Sequence, residues 1–425
     1  MNIGISLHST REVLFLFSSP LLEYIKKDTS NHYLIFFDNP ERISSLVKGY
    51  EHISIENYYL GNKLRKGIFY ILIQPYEKLF LLNKKLIGDH EFSIKETWSY
   101  KKLTIVLGYI YIYIPFFKVI LQAFRYIAFK TKYYEKFQID NWLITEYHQY
   151  KEKVISYNYG QKTSFFPPSH DSYTLDGWFS NELKNYFVWT HQDKKFATNI
   201  CNLSQEKIIE TGNPCLENIK NFNFKGEVKN KILFMGSNHF VYNEVEMVQD
   251  LKNNSFLNQQ GIDLRVSPGV NGVGEEWLRR KAAYEIILGK ESVLLPSDEW
   301  FGENFDPLNL NNDYYESLYK HEIFIVPGVS NIAYDVLARN GILVLMFFRG
   351  NQIDKKFPWW TCKQREVLDH MKKEPNVIIC ETAQELEQKL RSYQSSSSVS
   401  MDNTYTKDIK SSEIIFNELI KKSVL

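Results

Sequence analysis

Four stretches in the second half of the chain end apolar runs on small, polar or cationic residues. "FMGSN" carries Gly236 and Ser237, "RVSPG" carries Arg265 and Ser267, "LLPSD" carries Pro296 and Ser297, and "PGVSN" carries Gly328, Val329, Ser330 and Asn331. Glycine at such a strand end admits dihedrals closed to other residues, and Ser or Asn can cap the first turn of a following helix. The unpaired amides of that first turn, with the positive end of the helix dipole, form a ready anion site. Arg265 adds a guanidinium able to meet a phosphate with two parallel hydrogen bonds. Asp335 lies four residues after Asn331, one helical turn inside, so its carboxylate points back to the same mouth. Taken alone, each stretch is also what any capped helix after a buried strand looks like. Taken together, they form a candidate cradle for a nucleotide diphosphate.

The first half supplies groups able to accept a proton. Glu146 and His148 alternate in "TEYHQY" at a strand end and so share a face, while His170 and Asp171 follow another strand in "FFPPSHDSYTLDGW". His8 ends a first strand and is a weaker candidate. Sugar transfer with inversion needs one base to take the proton of the acceptor hydroxyl, while amides and cations stabilise the leaving diphosphate. For any single one of the four, a surface or hydrogen-bonded polar role is the commoner case; the expectation is that at least one is functional. No Gly-x-Gly-x-x-Gly, P-loop lysine, His-Glu-x-x-His or Gly-x-Ser-x-Gly stands in its required context, which argues against dinucleotide oxidoreductases, kinases and serine hydrolases. No Asp-x-Asp stands at a fitting strand end, so the chemistry is expected to need no metal and no cofactor beyond a nucleotide-sugar substrate.

These residues are positioned by an α/β alternation. Strands are expected at Asn2–Leu7, Tyr33–Phe37 and His52–Asn57, with helices from Ser9 to Lys27 and from Pro40 to Lys48 between them. The alternation implies right-handed crossovers and a parallel sheet covered on both faces. An aromatic and Lys-rich insertion interrupts it at about 60–136. It resumes at Asn141–Tyr147, Lys162–Pro168, Asn185–Thr190 and Glu206–Pro214. A second series starts at Lys231 and runs through Ile262–Pro268, Ser292–Ser297, Glu322–Gly328, Gly341–Phe348 and Asn376–Cys380. Ile332–Asn340 reads as a helix stopped by Gly341, and Thr382 with Glu385 as a capping box. The organisation expected is a first domain over 1–216, a connection at 217–230, a second domain over 231–392, and a linker with a short amphipathic helix over 393–425. Ligands of such sheets lie beyond the carboxyl ends of the strands, so two Rossmann-like domains facing a cleft are expected to bind there.

Composition agrees with a folded globular chain. The 425 residues are 44% hydrophobic and 24% charged, enough for two cores. With 51 basic and 50 acidic residues the net charge is +1, which gives no case for nucleic acid as a partner. The four cysteines, Cys201, Cys215, Cys362 and Cys380, lack any Cys-x-x-Cys spacing and fit a reducing compartment. "MNIGISLHST" carries no secretory pattern, so a cytoplasmic location is expected. Thr104–Lys130 is apolar but broken by Pro115 and Lys118, and falls short of a bilayer-spanning run of about 20 residues. The basic, aromatic block from Lys63 to Lys136 reads either as helices packed on the sheet with snorkelling lysines or as a contact for an anionic membrane at its inner face.

The strand ends resemble those of the GT-B superfamily of two-domain glycosyltransferases, as found in bacterial surface-polysaccharide proteins and, more distantly, in nucleotide-sugar 2-epimerases. "YFVWTHQDKKFATNICNLSQEKIIETGNPCLE" is similar to the end of their first domain, and "KILFMGS" to the first strand of their second. "YYESLYKHEIFIVPGVSNIAYDVLARNGILVLMFF" is similar to the segment that holds the donor nucleotide. The resemblance implies that Gly328, Ser330 and Asn331 face the donor diphosphate and that Asp335 stands where relatives often place Glu on the ribose. Where many relatives have Arg-x-His-Pro, this chain has Arg265-Val266-Ser267-Pro268, so no histidine role is implied there. The implied activity is transfer of a sugar from a nucleotide-activated donor to a glycan or lipid-linked acceptor. A polyol-phosphate transferase, an epimerase and a non-catalytic binding or scaffold protein remain as alternatives.

Overall fold

The computed structural model describes residues 1–8, 10–74, 117–147, 149–167, 182–199, 201–227, 231–236, 244–266, 275–295, 307–328, 330–347, 368–395 and 410–421. The chain divides into two compact units, Met1–Cys215 with Ile409–Leu425, and Leu216–Asp408.

The first unit runs β1 (Asn2–Ser6), α1 (Thr10–Phe17), α2 (Pro20–Lys27), β2 (His32–Phe36), α3 (Pro40–Ser44), β3 (Ile53–Glu56), α4 (Lys63–Ile68), α5 (Phe117–Phe129), β4 (Asn141–Ile144), α6 (Tyr150–Tyr159), β5 (Thr163–Phe165), β6 (Asn185–Val188), α7 (His191–Asn199) and β7 (Ile208–Glu210). Helix α8 (Pro214–Asn221) spans the junction, so the connection expected from residue 217 begins as helix. The seven strands pair in the order β3-β2-β1-β4-β5-β6-β7, all parallel. Strands β4 and β5 are buried throughout, as expected where helices cover both faces of a sheet. Gly4 of β1 is dictated by packing: a Cβ there would sit 2.6 Å from the Trp142 ring. That indole is fully buried against Phe36 and Tyr134, with ring centroids 5.0 and 5.2 Å away.

The helix expected from Ser9 to Lys27 is two helices, separated at Ser18 and Ser19. Pro20 has no N–H to donate, so it ends the first helix and is accommodated at the first position of the second. Within the insertion, α4 continues as a π-helical turn, Phe69–Ile73, and α5 follows; residues 75–116 lie outside those described.

The second unit runs β8 (Ile232–Met235), α9 (Glu244–Asn253), α10 (Ser255–Gln259), β9 (Ile262–Arg265), α11 (Glu275–Leu288), β10 (Val293–Leu294), α12 (Pro307–Tyr319), β11 (Ile323–Val326), α13 (Asn331–Ala338), β12 (Ile342–Met346), β13 (Val377–Cys380) and α14 (Ala383–Ser395). Its six parallel strands pair in the order β10-β9-β8-β11-β12-β13. The core is a continuous apolar cluster that includes Phe234, Leu264, Ile325, Val344 and Leu386.

Local signals are met in detail at two helix ends. Thr382 Oγ1 accepts from the Glu385 amide at 3.1 Å, and Glu385 reaches back to the Glu381 amide at 2.8 Å, so the capping box closes one residue earlier than its usual form. Helix α13 stops at Ala338, before the expected Asn340, because Asn340 itself takes the left-handed conformation (φ 65). The Gly341 amide bonds Val336 O and the Asn340 amide bonds Leu337 O, both at 2.9 Å, completing a Schellman motif. Gly341 is needed for space: a Cβ would lie 2.7 Å from the Phe324 ring.

After the second unit the chain forms α15 (Ser411–Ile420), which packs in the first unit. There Asn141 Nδ2 donates to Leu419 O at 2.8 Å and Lys421 O at 2.9 Å, and Phe416 stacks on Tyr24. Among the described residues no helix is long and apolar enough to cross a membrane.

Candidate functional site

Both sheets reverse their strand order once, between β1 and β4 in the first and between β8 and β11 in the second. Chain connections leave these two strands on opposite sides, which opens a crevice at their carboxyl ends where ligands of open parallel sheets bind.

In the second unit, Gly236 follows β8 and its amide donates to Arg265 O at 2.9 Å, carrying the ladder one residue further. Gly328 follows β11 with φ 97, a backbone position that L side chains rarely take, and has no heavy atom within 4 Å of where a Cβ would stand. Its amide closes a tight turn onto Val326 O at 2.9 Å. Ser330 then stands at the N-cap of α13 with extended dihedrals. Its hydroxyl was expected as a cap, but it makes no capping bond: Oγ is buried and has no hydrogen-bond partner. A buried hydroxyl left unbonded costs free energy that a bound acceptor would recover. Asn331 is the first residue of the helix.

Arg265 and Asp335 are tied together through α12. Arg265 Nη2 donates to Asp313 Oδ2 at 2.9 Å, Nη1 donates to Ser317 Oγ at 3.3 Å, and the guanidinium lies 5.4 Å from the Tyr314 ring centroid. Tyr314 in turn donates its phenolic proton to Asp335 Oδ2 at 2.6 Å. Burial pushes the Asp335 carboxyl up to about 7, with the Tyr314 hydrogen bond opposing it. The phenol is pushed well above its ordinary range by burial and by the carboxylate beside it. Arg265 is thus held by its own unit's side chains, and Asp335 is a carboxyl that titrates near neutrality.

In the first unit, Glu146 follows β4 and its Oε1 accepts from the Tyr147 amide at 2.9 Å. Beside the same strand ends lies a buried polar cluster that the sequence reading did not single out. Ser6 ends β1, Tyr58 follows β3 and Glu152 belongs to the first turn of α6. Glu152 is fully buried; Oε1 accepts from Ser6 Oγ at 3.1 Å and from Tyr58 OH at 3.3 Å, while Oε2 has no partner. Ser6 Oγ and Tyr58 OH are themselves 2.5 Å apart. Burial, and then the charge of Glu146, push the Glu152 carboxyl up to about 8, and the buried Glu12 acts in the same direction. His8 Nδ1 is likewise buried without a partner. The available signal was that Glu152 sits three and four residues before Ile155 and Ser156, a carboxyl on the buried stripe of its helix.

His148, His170, Asp171, Ser237, Ser267, Pro296, Ser297 and Val329 lie outside the described residues. Of the candidate site residues singled out in the sequence, the structure describes His8 and Glu146 in the first unit and Gly236, Arg265, Gly328, Ser330, Asn331 and Asp335 in the second. Among the described residues no group of His, Cys, Asp and Glu could hold a metal ion.

No family model matches the chain, and no curated protein matches it in sequence. Solved structures do. A UDP-N-acetylglucosamine 2-epimerase structure from Listeria monocytogenes matches with a TM-score of 0.53 at 11% identity, over 97% of this chain and 94% of that one. A UDP-GlcNAc 2-epimerase from Neisseria meningitidis bound to UDP-GlcNAc matches with a TM-score of 0.49 at 12% identity, over 99% and 100% of the two chains. A glycosyltransferase from Rickettsia africae ESF-5 matches with a TM-score of 0.48 at 10% identity, over 99% and 93%. At these identities the likeness to the Listeria structure is one of fold. The chain is an α/β protein of two Rossmann-like domains, the fold class that its strand and helix alternation implies.

Proposed function

We propose that the chain is a glycosyltransferase that moves a sugar from a nucleotide-activated donor to a glycan or lipid-linked acceptor in surface-glycan assembly, working at the cytoplasmic face of a membrane. The observation that carries the reading is the buried, unpartnered Ser330 Oγ, placed behind the left-handed Gly328 at the start of α13 and beside the switch point of the second sheet. In this reading the diphosphate lies along the Gly328–Asn331 backbone, accepts from Ser330 Oγ and is held by the helix dipole. Gly236 leaves room beside it, Arg265 lends positive potential from its seat on Asp313, and Asp335 with Tyr314 meets the ribose. Ser237, Ser267, Pro296, Ser297 and Val329, adjacent to these residues or to neighbouring strands in the sequence, are proposed as further contacts to the nucleotide sugar.

On the acceptor side, Glu146 takes the proton of the attacking hydroxyl, with His148, His170 and Asp171 as the other bases proposed. The acceptor oxygen bonds the anomeric carbon as the bond from that carbon to the diphosphate oxygen breaks, and the nucleoside diphosphate leaves with the bonding pair. The leaving charge is met by amides and the helix dipole, which makes the reaction metal-independent. Incubation of the protein with a panel of nucleotide sugars and membrane glycolipid extract tests this. Acceptor-dependent release of nucleoside diphosphate that survives chelation and is lost in Glu146→Gln supports it, and release without any acceptor contradicts it.

A second reading, a nucleotide-sugar epimerase, is favoured by the fold shared with the Listeria structure named for that activity. Interconversion of two sugar epimers with no acceptor present would select it.

A further inference from the structure

The hairpin formed by α4, its π-helical turn and α5 has two apolar faces. The inner one is packed: Phe69, Ile73, Leu121, Ala128 and Phe129 are buried, and the Phe69 ring lies 5.8 Å from Tyr150 of α6. The outer one is open. Leu64 is 68% exposed, Ile71 58%, Val119 70% and Tyr126 59%, with Tyr70 and Ile127 exposed beside them. On α5, residues 119, 126 and 127 fall on one side and 121 and 128 on the other, so the helix is apolar nearly all round. Such a helix is normally covered, and an outward apolar patch of this kind marks an interaction surface.

Charge selects what covers it. Residues 59–74 and 117–134 contain basic side chains and no Asp or Glu, in a chain whose total charges balance to +1. Arg65 is engaged with Tyr59 OH and Lys130 O, and Arg125 with Glu182. Lys63, Lys130 and Lys132 are exposed, and Lys66 is half-buried. A second copy laid on this face would bring like charges together, which disfavours self-association. An apolar strip rimmed by lysines matches a bilayer with anionic headgroups, where the apolar side chains enter the acyl boundary and the ammonium groups meet lipid phosphates.

We propose that the outer face of this hairpin rests on an anionic bilayer, with Leu64, Ile71, Val119 and Tyr126 beneath the headgroups and Lys63, Lys66, Lys130 and Lys132 at the level of the phosphates. The inference stands apart from the donor site, since it concerns a different surface and no residue of the nucleotide cradle.

Flotation of the full chain with vesicles tests it. The protein should rise with phosphatidylcholine vesicles containing phosphatidylglycerol, stay behind with phosphatidylcholine alone, and detach at high salt. Lys63→Glu with Lys130→Glu should weaken binding by about fivefold per lysine or more. Leu64→Glu with Val119→Glu should abolish it while leaving the melting temperature and nucleotide affinity unchanged, since both side chains are already in water. Failure to bind anionic vesicles at low salt, or undiminished binding by the Leu64→Glu, Val119→Glu variant, overturns the proposal. So does a lipid-free dimer that the same variant disperses, because the face would then belong to a second copy.

Discussion

Ser6 Oγ lies 3.1 Å from Glu152 Oε1 although 146 residues separate them in the chain. The contact joins the end of the first strand to the helix after the fourth, across the point where the strand order reverses. It places a carboxyl with one unpartnered oxygen where solvent cannot reach it.

The pH dependence of stability follows from that burial. The Glu152 carboxyl rises from 4.5 to about 8 in the folded chain, so the folded state binds the proton more tightly than the unfolded state. Its contribution is fully present below about pH 4.5 and is lost as pH rises through about 8, at up to about 1.4 kcal/mol per pH unit. Asp193 and Asp335, both raised to about 7 chiefly by burial, act with the same sign over a lower window. Urea denaturation across this range should therefore show falling stability. Glu152→Gln, whose amide oxygen still accepts from Ser6 and Tyr58, should flatten the profile most between about pH 7 and 8. An identical slope in the variant would remove Glu152 as the cause.

The alternation of apolar runs was sufficient to read the thirteen strands found among the described residues and their parallel pairing, because strands buried on both faces leave contiguous Val, Ile, Leu and Phe. The Ser18-Ser19-Pro20 break was written in the sequence but hidden by an apolar spacing that continues across it. In the second unit, Gly328 and Ser330 were legible as the turn into α13 because strand-to-helix turns restrict residue type strongly. The destination of the Ser330 hydroxyl was not: the sequence favours a cap, and only three-dimensional burial shows the cap unmade. Glu152, Ser6 and Tyr58 were illegible for a different reason. Each is unremarkable in its own segment, and the cluster forms only when two strand ends and the first turn of α6 converge. Arg265 was read as a guanidinium able to reach a phosphate; its partners Asp313 and Ser317, about fifty residues away on another element, were not legible.

The two glycines flanking α13 should separate packing from backbone conformation. Gly341→Ala drives a methyl toward the buried Phe324 ring at 2.7 Å, and should cost about 1–3 kcal/mol of stability in chemical denaturation while leaving nucleotide affinity intact. Gly328→Ala meets no neighbour, so its cost, about 1 kcal/mol, comes from φ 97 alone. Relaxing that φ moves the Ser330 amide, so the second variant should also lose nucleotide affinity.

Docking of the terminal helix should depend on Asn141. Its amide satisfies two carbonyls at the end of α15 and its Oδ1 accepts from Lys184 Nζ at 3.2 Å. Asn141→Ala leaves these groups without that partner in a buried place, and should cost about 1–3 kcal/mol. Faster hydrogen exchange confined to α15 would report the effect, and unchanged protection there would refute the role.

The account rests on a diphosphate bound at Gly328–Asn331, and calorimetric titration with a panel of nucleoside diphosphates and nucleotide sugars tests that claim most directly. At least one member should bind the wild-type protein. The same ligand should keep its affinity for Glu146→Gln and lose it for Ser330→Trp, which removes the buried hydroxyl and sets an indole at the start of the helix. Binding to no member of the panel, or wild-type affinity in Ser330→Trp, would contradict the account.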